Sequence, residues 1–261
     1  MLFTIVGPMN NTNGSSISFV DFNNGIDISD DDTLYIADTN NDRIVTITAD
    51  GQQSTFGSRP GISRAEFYGP FDISVTKTSI YVIDTASVFE SYYLFVDSSS
   101  NLYLSDFETN QVVCFAAGYS FPQVVGGNVT IGSGINQLNG PLGIFLDDFE
   151  AVYVADCNNH RVQKWNYRVK FGTTVAGDGT AGSDLSQLNC VSSVIVDTRG
   201  NIYISQERNS RVVRWTFNSD VSIYIVGCSG SYESNANQLK KPQDLVFDSY
   251  GSFFFIIFAV D

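Results

Sequence analysis

Asp72 and Asp244 are the residues whose placement most suggests chemistry in this chain. They fall at one equivalent position of a recurring pattern, where the other copies carry Gly25, Tyr93, Gly143 and Ser193. A carboxylate pair at a position otherwise small or aromatic could hold a cation or a cationic group of a ligand. The structural alternative is that each carboxylate caps a local turn. It is favoured, because Asp commonly satisfies nearby backbone donors. Tyr93 and His160 complete the candidate ligand-binding set, with Asp72 and Asp244 as the candidate metal ligands.

His160 is the single histidine. A catalytic zinc needs about three protein ligands, so one histidine does not support zinc chemistry. A Ser-His-Asp triad centred on His160 is formally available, but the residue sits in a repeated turn, where a local hydrogen bond is the expected role. No catalytic residue is assigned. Gly177-Asp-Gly-Thr-Ala-Gly182 matches a G-x-G-x-x-G phosphate loop. That reading requires a following helix in a βαβ unit, and another strand repeat follows instead. Asp30-Asp31-Asp32 lacks the spacing of a calcium loop and reads as a solvated turn.

The elements that position these residues are strands. The segment Ala151-Val-Tyr-Val-Ala-Asp-Cys-Asn-Asn-His-Arg-Val-Gln-Lys-Trp165 returns at Thr33–Ile44 and Asn201–Trp215, and more weakly at Asn101–Val112. A period of roughly 40–50 residues signals a propeller or solenoid. Each unit has an apolar anchor, often a Pro, a short strand ending in Asp, a turn, and an alternating strand x-Leu/Ile-Tyr-Ile-x-Asp. An Arg-Val-x-x-Trp strand and a strand ending in Gly complete it. Four short strands separated by turns make one antiparallel blade.

The strand-two position falls at 38, 84, 106, 156, 206 and 257. The short step from 84 to 106 implies that the second unit has lost its outer two strands. Leu2–Gly7 reads as a last strand without a blade before it, and the final unit lacks its last strand. Pairing them would close the ring and cover an open edge. The expectation is one all-β domain over 1–261, a six-bladed β-propeller with a truncated blade two. The blades fall at about 20–57, 67–91, 92–118, 138–177, 188–227 and 239–261, the last completed by 2–7.

Asn159-His160-Arg161 after Tyr153-Val-Ala-Asp156, with Gly143-Ile144 upstream and Val162-x-x-Trp165 downstream, resembles the NHL repeat. Asn41-Asp42-Arg43 and Asn209-Ser210-Arg211 resemble it too. The resemblance implies the propeller fold over nearly the whole chain. The functions it implies are varied: protein-binding scaffolds, RNA-binding domains, extracellular sensors and peptide-amidating lyases, with calcium-dependent lactonases among related six-bladed propellers. Asp38/Arg43 and Asp156/Arg161 are expected to face across their turns as structural ion pairs. Gln206 stands where the pattern has Asp, Gln111 where it has Arg, and Ile257 again where it has Asp.

Composition narrows the partners. The chain has 261 residues and a net charge of −14, from 14 basic and 28 acidic side chains. Such a surface repels phosphate backbones, so nucleic acid is not an expected partner. The run Phe253–Val260 is too short for a membrane span, so no membrane insertion is expected. Its abrupt end points to a longer protein. Met1–Val6 does not form a secretory signal, so an extracellular location would require a targeting segment outside these residues. Four cysteines allow three pairings without metal-knuckle spacing, and separate small thiols are the expectation. Sequons stand at Asn10, Asn13 and Asn128.

The turns Thr39–Asp42, Phe107–Asn110, Cys157–His160 and Glu207–Ser210 should share one face with the inter-blade crossings. Loops on a rigid scaffold are the usual carriers of binding. The expected function is a non-enzymatic binding scaffold for a protein or glycan ligand, without a cofactor. The alternative is a calcium-dependent, lactonase-like hydrolase with its site in the central channel.

Overall fold

The structure is a computed structural model that describes residues 2–6, 23–57, 66–84, 91–227, 239 and 241–257. The chain begins with β1 (Leu2–Val6), then β2 (Asn23–Ile28), β3 (Leu34–Asp38), β4 (Arg43–Ile47) and β5 (Gln53–Phe56). Next come β6 (Pro70–Val75) and β7 (Ile80–Asp84). β8 (Ser91–Val96), β9 (Leu102–Asp106), β10 (Gln111–Phe115) and β11 (Gln123–Gly127) follow. β12 (Pro141–Leu146), β13 (Val152–Asp156), β14 (Arg161–Trp165) and β15 (Thr173–Ala176) form the next group. β16 (Val191–Val196), β17 (Ile202–Gln206), β18 (Arg211–Trp215) and β19 (Ser222–Val226) precede β20 (Pro242–Phe247) and β21 (Phe253–Ile257).

The fold is an all-β propeller. Among the described residues, β2–β5, β8–β11, β12–β15 and β16–β19 are complete four-stranded antiparallel blades. The expected six blades are therefore corrected to four. The remaining sheets are β6-β7, with two strands, and β20-β21-β1, with three. The recurring Tyr-x-x-Asp pattern counts second strands, whether or not outer strands follow. Only six residues separate β7 from β8, too few for two more strands. The blade expected at 92–118 extends further, because Gln123–Gly127 pairs with β10.

The N-terminal strand does pair with the last sheet. β1 lies parallel to β21, from Leu2 opposite Phe253 to Val6 opposite Ile257. It bonds directly to the second strand of that sheet, in a third strand's place. The inner strands pack in a closed circuit: β2 against β6, then β8, β12, β16, β20 and back to β2.

Turn chemistry explains the regular repeat. Asp97, Asp147, Asp197 and Asp248 each follow an inner strand and accept backbone N–H groups two and four residues on. The carboxylate replaces turn contacts that a backbone carbonyl would otherwise supply. The core lies between neighbouring sheets rather than at one centre. Between the last two complete blades it contains Tyr153, Val162, Val194, Ile204 and Trp215. Beyond β16–β19 it continues through Val212, Val226, Leu245 and Phe255.

Each Asp-Arg pair is buried, not exposed. Arg43 Nε lies 2.6 Å from Asp38 and Arg161 Nε lies 2.8 Å from Asp156. Arg161 also donates to the carbonyls of Ser133, Gly134 and Gln137, tying the turn to the preceding crossing. The cysteine expectation is corrected as well: Cys157 and Cys190 form a disulfide. It joins the turn of one blade to the start of the next. Cys114 is free, while Cys228, Asn10 and Asn13 lie outside the described residues.

Candidate functional site

The third residue of each inner strand sets the site. Gly25, Asp72, Tyr93, Gly143, Ser193 and Asp244 hold this place in β2, β6, β8, β12, β16 and β20. Each of these strands breaks register with its neighbour at or beside this residue. A bulge of this kind re-aims the side chain away from the regular pleat. Neighbouring positions touch around the ring. A methyl group on Gly143 would stand 2.7 Å from Ser193 Cα, and one on Gly25 would stand 2.7 Å from Asp72 Cα.

Asp72, Tyr93 and Asp244 all line a central cavity of about 220 Å³. Tyr93 crosses the channel, and its hydroxyl donates to Gln243 O at 3.4 Å. Its ring meets Phe71 edge-on at 6.3 Å. Asp27 joins the same cavity, and residue-by-residue alignment of the third positions missed it. The available signal was strand alternation: Asp27 is two residues beyond Gly25 and so returns to the same side of β2.

The carboxylates are committed to neighbouring strands. Asp72 accepts the N–H groups of Ile73 at 2.9 Å and Leu94 at 2.7 Å. Asp27 accepts those of Ile28 and Val75, at 2.8 and 2.7 Å. Asp244 takes Ile26 N–H at 2.9 Å, Leu245 N–H at 2.8 Å and the Ser193 hydroxyl at 2.7 Å. Each acid thereby joins its own inner strand to the next one round the ring.

Burial disfavours their charged forms. It pushes Asp27 up to about 7 and Asp244 up to about 6. Asp72 lies well above the ordinary carboxylate range, first through burial and then through the nearby charge of Asp244. Burial and the same two acids push the Tyr93 phenol well above its usual value. The cluster can hold protons at the wall of the cavity. Calcium would need carboxylate oxygens that now accept backbone donors. Among the described residues, no group of three or more His, Cys, Asp or Glu side chains is arranged to hold a metal.

His160 does not line this cavity. It occupies a left-handed turn position with φ 53°, and its Nδ1 accepts Cys190 N–H at 3.3 Å. Burial, then the charge of Arg208, pushes its pKa below the ordinary value. The role is shared: Asp42 accepts Gly69 N–H at 2.8 Å and Asn110 accepts Gly140 N–H at 2.9 Å from equivalent turns. The Gly177–Gly182 stretch leads to β16 without a helix, so it is a crossing. Asp31 caps its own turn, and Asp32 accepts two hydrogen bonds from Ser249.

The family model described as NHL repeat matches residues 138–165, the segment that carries Gly143, Asp156, His160 and Arg161. No curated protein sequence matches the chain. A Bacteroides thetaiotaomicron protein of unknown function shares 16% identity at a TM-score of 0.70, covering 97% of this chain and 72% of the other. A calcium-binding protein, regucalcin, from Agrobacterium tumefaciens shares 12% identity at a TM-score of 0.57, covering 95% and 83%. A chain of a nidogen/laminin complex shares 14% identity at a TM-score of 0.62, covering 90% and 85%. At these identities the similarity is one of fold. Among the described residues, no helix is long and apolar enough to cross a membrane.

Proposed function

We propose that the chain is a non-enzymatic binding scaffold for a protein or glycan ligand. The ligand sits on the face formed by the turns after each second strand and the inter-blade crossings. One observation carries this reading: successive turns on that face are fastened to the next crossing. Asp42, Asn110 and His160 accept N–H groups from Gly69, Gly140 and Cys190, and the Cys157–Cys190 disulfide reinforces the third link. A surface held in place before contact loses little conformational freedom on binding. Asn158 and Arg208 are exposed on it, and Val129, Ile131 and Ile135 are exposed on the 128–140 crossing. The net charge of −14 argues against nucleic acid as the ligand.

The test is a screen of the intact chain against a glycan array and a displayed peptide library. Ligands recovered should lose at least tenfold in affinity with Asn158→Arg or Arg208→Glu. Ligands indifferent to both changes would remove this face from consideration.

A calcium-dependent hydrolase of the channel is the second reading. It rests on the three buried acids Asp27, Asp72 and Asp244 around one cavity, whose oxygens would have to exchange backbone donors for the ion. A bound cation would relieve their mutual repulsion. Calcium should then raise the melting temperature of the native chain. Asp72→Asn/Asp244→Asn should abolish that rise. Melting unaffected by calcium, zinc and chelator would sink the hydrolase reading and leave the scaffold.

A further inference from the structure

A larger concavity, of about 700 Å³, lies on the flank between the β8–β11 and β12–β15 sheets. Trp165 and Tyr103 contribute to its lining, with the turn at 166–171 on one side and all of β11 on the other. Three features of these residues bear on what the groove could hold.

The first is an unused donor. Trp165 and Trp215 are equivalent and only 2% and 3% exposed. Trp215 gives its indole N–H to Ser219 O at 2.6 Å. The Trp165 indole N–H has no partner among the described residues, although the turn beside it has the same backbone closure. The difference lies at Gly172, where β19 has Ser222. A Cβ at 172 would stand 2.8 Å from the indole Cε2, so the ring occupies space a side chain would take. The Trp165 N–H thus opens on the groove and is left to donate to whatever fills it.

The second is charge. Arg168 and Lys170 are exposed beside the groove and form no ion pair among the described residues. They stand out on a chain with twice as many acidic as basic side chains. Arg168 lies 4.8 Å above the Tyr167 ring, which directs the guanidinium along an aromatic face. Glu150 is the one acidic residue in the lining.

The third is a free sheet edge. β11 is the outermost strand of its blade, and no strand pairs with its outer side among the described residues. Five successive residues, Gln123–Gly127, line the groove, so this wall presents backbone as well as side chains. An unpaired edge recognises an extended chain through main-chain hydrogen bonds, while flanking pockets select its side chains.

We infer that this groove binds an extended peptide segment of a partner protein, with carboxylate side chains alternating with aromatic or aliphatic ones. The peptide backbone runs along β11. Its acids meet Arg168 and Lys170, its apolar groups meet Tyr103, Tyr167 and Phe171, and a carbonyl or carboxylate oxygen accepts the Trp165 N–H. The groove meets the turn-and-crossing face at Asn136 of the 128–140 crossing, but neither Asn158 nor Arg208 lines it, so substitutions there test the two surfaces apart.

The experiment pans a random octapeptide display library on the full chain, with Arg168→Glu/Lys170→Glu as the counter-target. Both positions are exposed, and matched melting temperatures verify that the variant folds. Recovered peptides should be rich in Asp or Glu alternating with Phe, Leu or Tyr. Their affinity should fall at least tenfold on charge reversal and weaken with added salt. Trp165→Phe, which removes only the indole N–H and one ring, should cost a further several-fold. Arg208→Glu should change nothing. Failure to enrich any peptide over the counter-target, or equal affinity for both chains, would overturn the inference.

Discussion

Asp72 folds its carboxylate over Gly25. A methyl group at Gly25 would stand 2.7 Å from Asp72 Cα, 2.9 Å from its Cγ, and closer still to an oxygen. Because Asp72 also accepts Leu94 N–H, the missing Cβ at residue 25 lets one carboxylate bind two inner strands. Gly25→Ala should destabilise the fold by about 3 kcal/mol, as overpacking against backbone does. Urea unfolding would measure it. A change below about 0.5 kcal/mol would show that the ring is looser than these distances imply.

The channel acids should reverse the usual pH dependence of stability. Asp27 and Asp244, pushed up to about 7 and 6 by burial, bind protons in the folded chain that the unfolded chain has released. Between about pH 4 and 7 the folded state therefore binds more protons, and stability falls as pH rises. Each acid contributes a slope of up to about 1.4 kcal/mol per pH unit. His160, held below its ordinary value by burial, acts in the opposite direction near neutrality. Asp27→Asn should flatten the profile between pH 5 and 7. Chemical unfolding at several pH values would check it, and an unchanged slope would contradict the assigned shift.

Gln206 leaves a cation buried without its carboxylate. Its Oε1 accepts Arg211 Nη2 at 3.2 Å, but Gln206 Nε2 and Arg211 Nε both lack partners. Two buried donors thus go unsatisfied where Asp156 and Arg161 are paired in the preceding blade. Gln206→Glu replaces Nε2 with an acceptor of the same shape and should stabilise the chain by about 1–2 kcal/mol at pH 7. For a domain of this size, that is a rise of about 2–6 °C in melting temperature. A lower melting temperature would mean that desolvating the new carboxylate outweighs the pair.

Reduction of Cys157–Cys190 should loosen two blades at once. The bond spans 33 residues, and a loop of that length implies about 3–4 kcal/mol from restricting the unfolded chain. Cys157→Ser/Cys190→Ser should lower the urea midpoint accordingly. It should also expose the 178–190 crossing to limited proteolysis. An unchanged midpoint would show that the crossing is held by its hydrogen bonds alone.

Much of the ring was legible because one strand position recurs. Gly25, Asp72, Tyr93, Gly143, Ser193 and Asp244 could be placed together by register, without knowing the chain's path. The blade count was not, because the Tyr-x-x-Asp pattern marks a second strand and carries no information about a third or fourth. β11 lies beyond the blade expected at 92–118, because its Gly126 and Gly127 carry no strand pattern although Val112 and Gln111 pair with them. The disulfide left no trace, since its cysteines have no signature spacing and meet only through packing. The flank groove involves a Gly-for-Ser difference just before β15, a signal visible only once the indole's position is known.

The pairing of β1 with β21 bears on the order in which the molecule can be made. Leu2 bonds alongside Phe253, so β1 cannot take its place until a strand about 250 residues further along has been made. Bringing ends together across about 250 residues costs roughly 5 kcal/mol in chain entropy beyond a constant term. The complete blades in between can form from local segments as they emerge. Closure is therefore the late, slow step of folding, and a nascent chain stalled before residue 253 would carry an unpaired strand edge into the company of its neighbours.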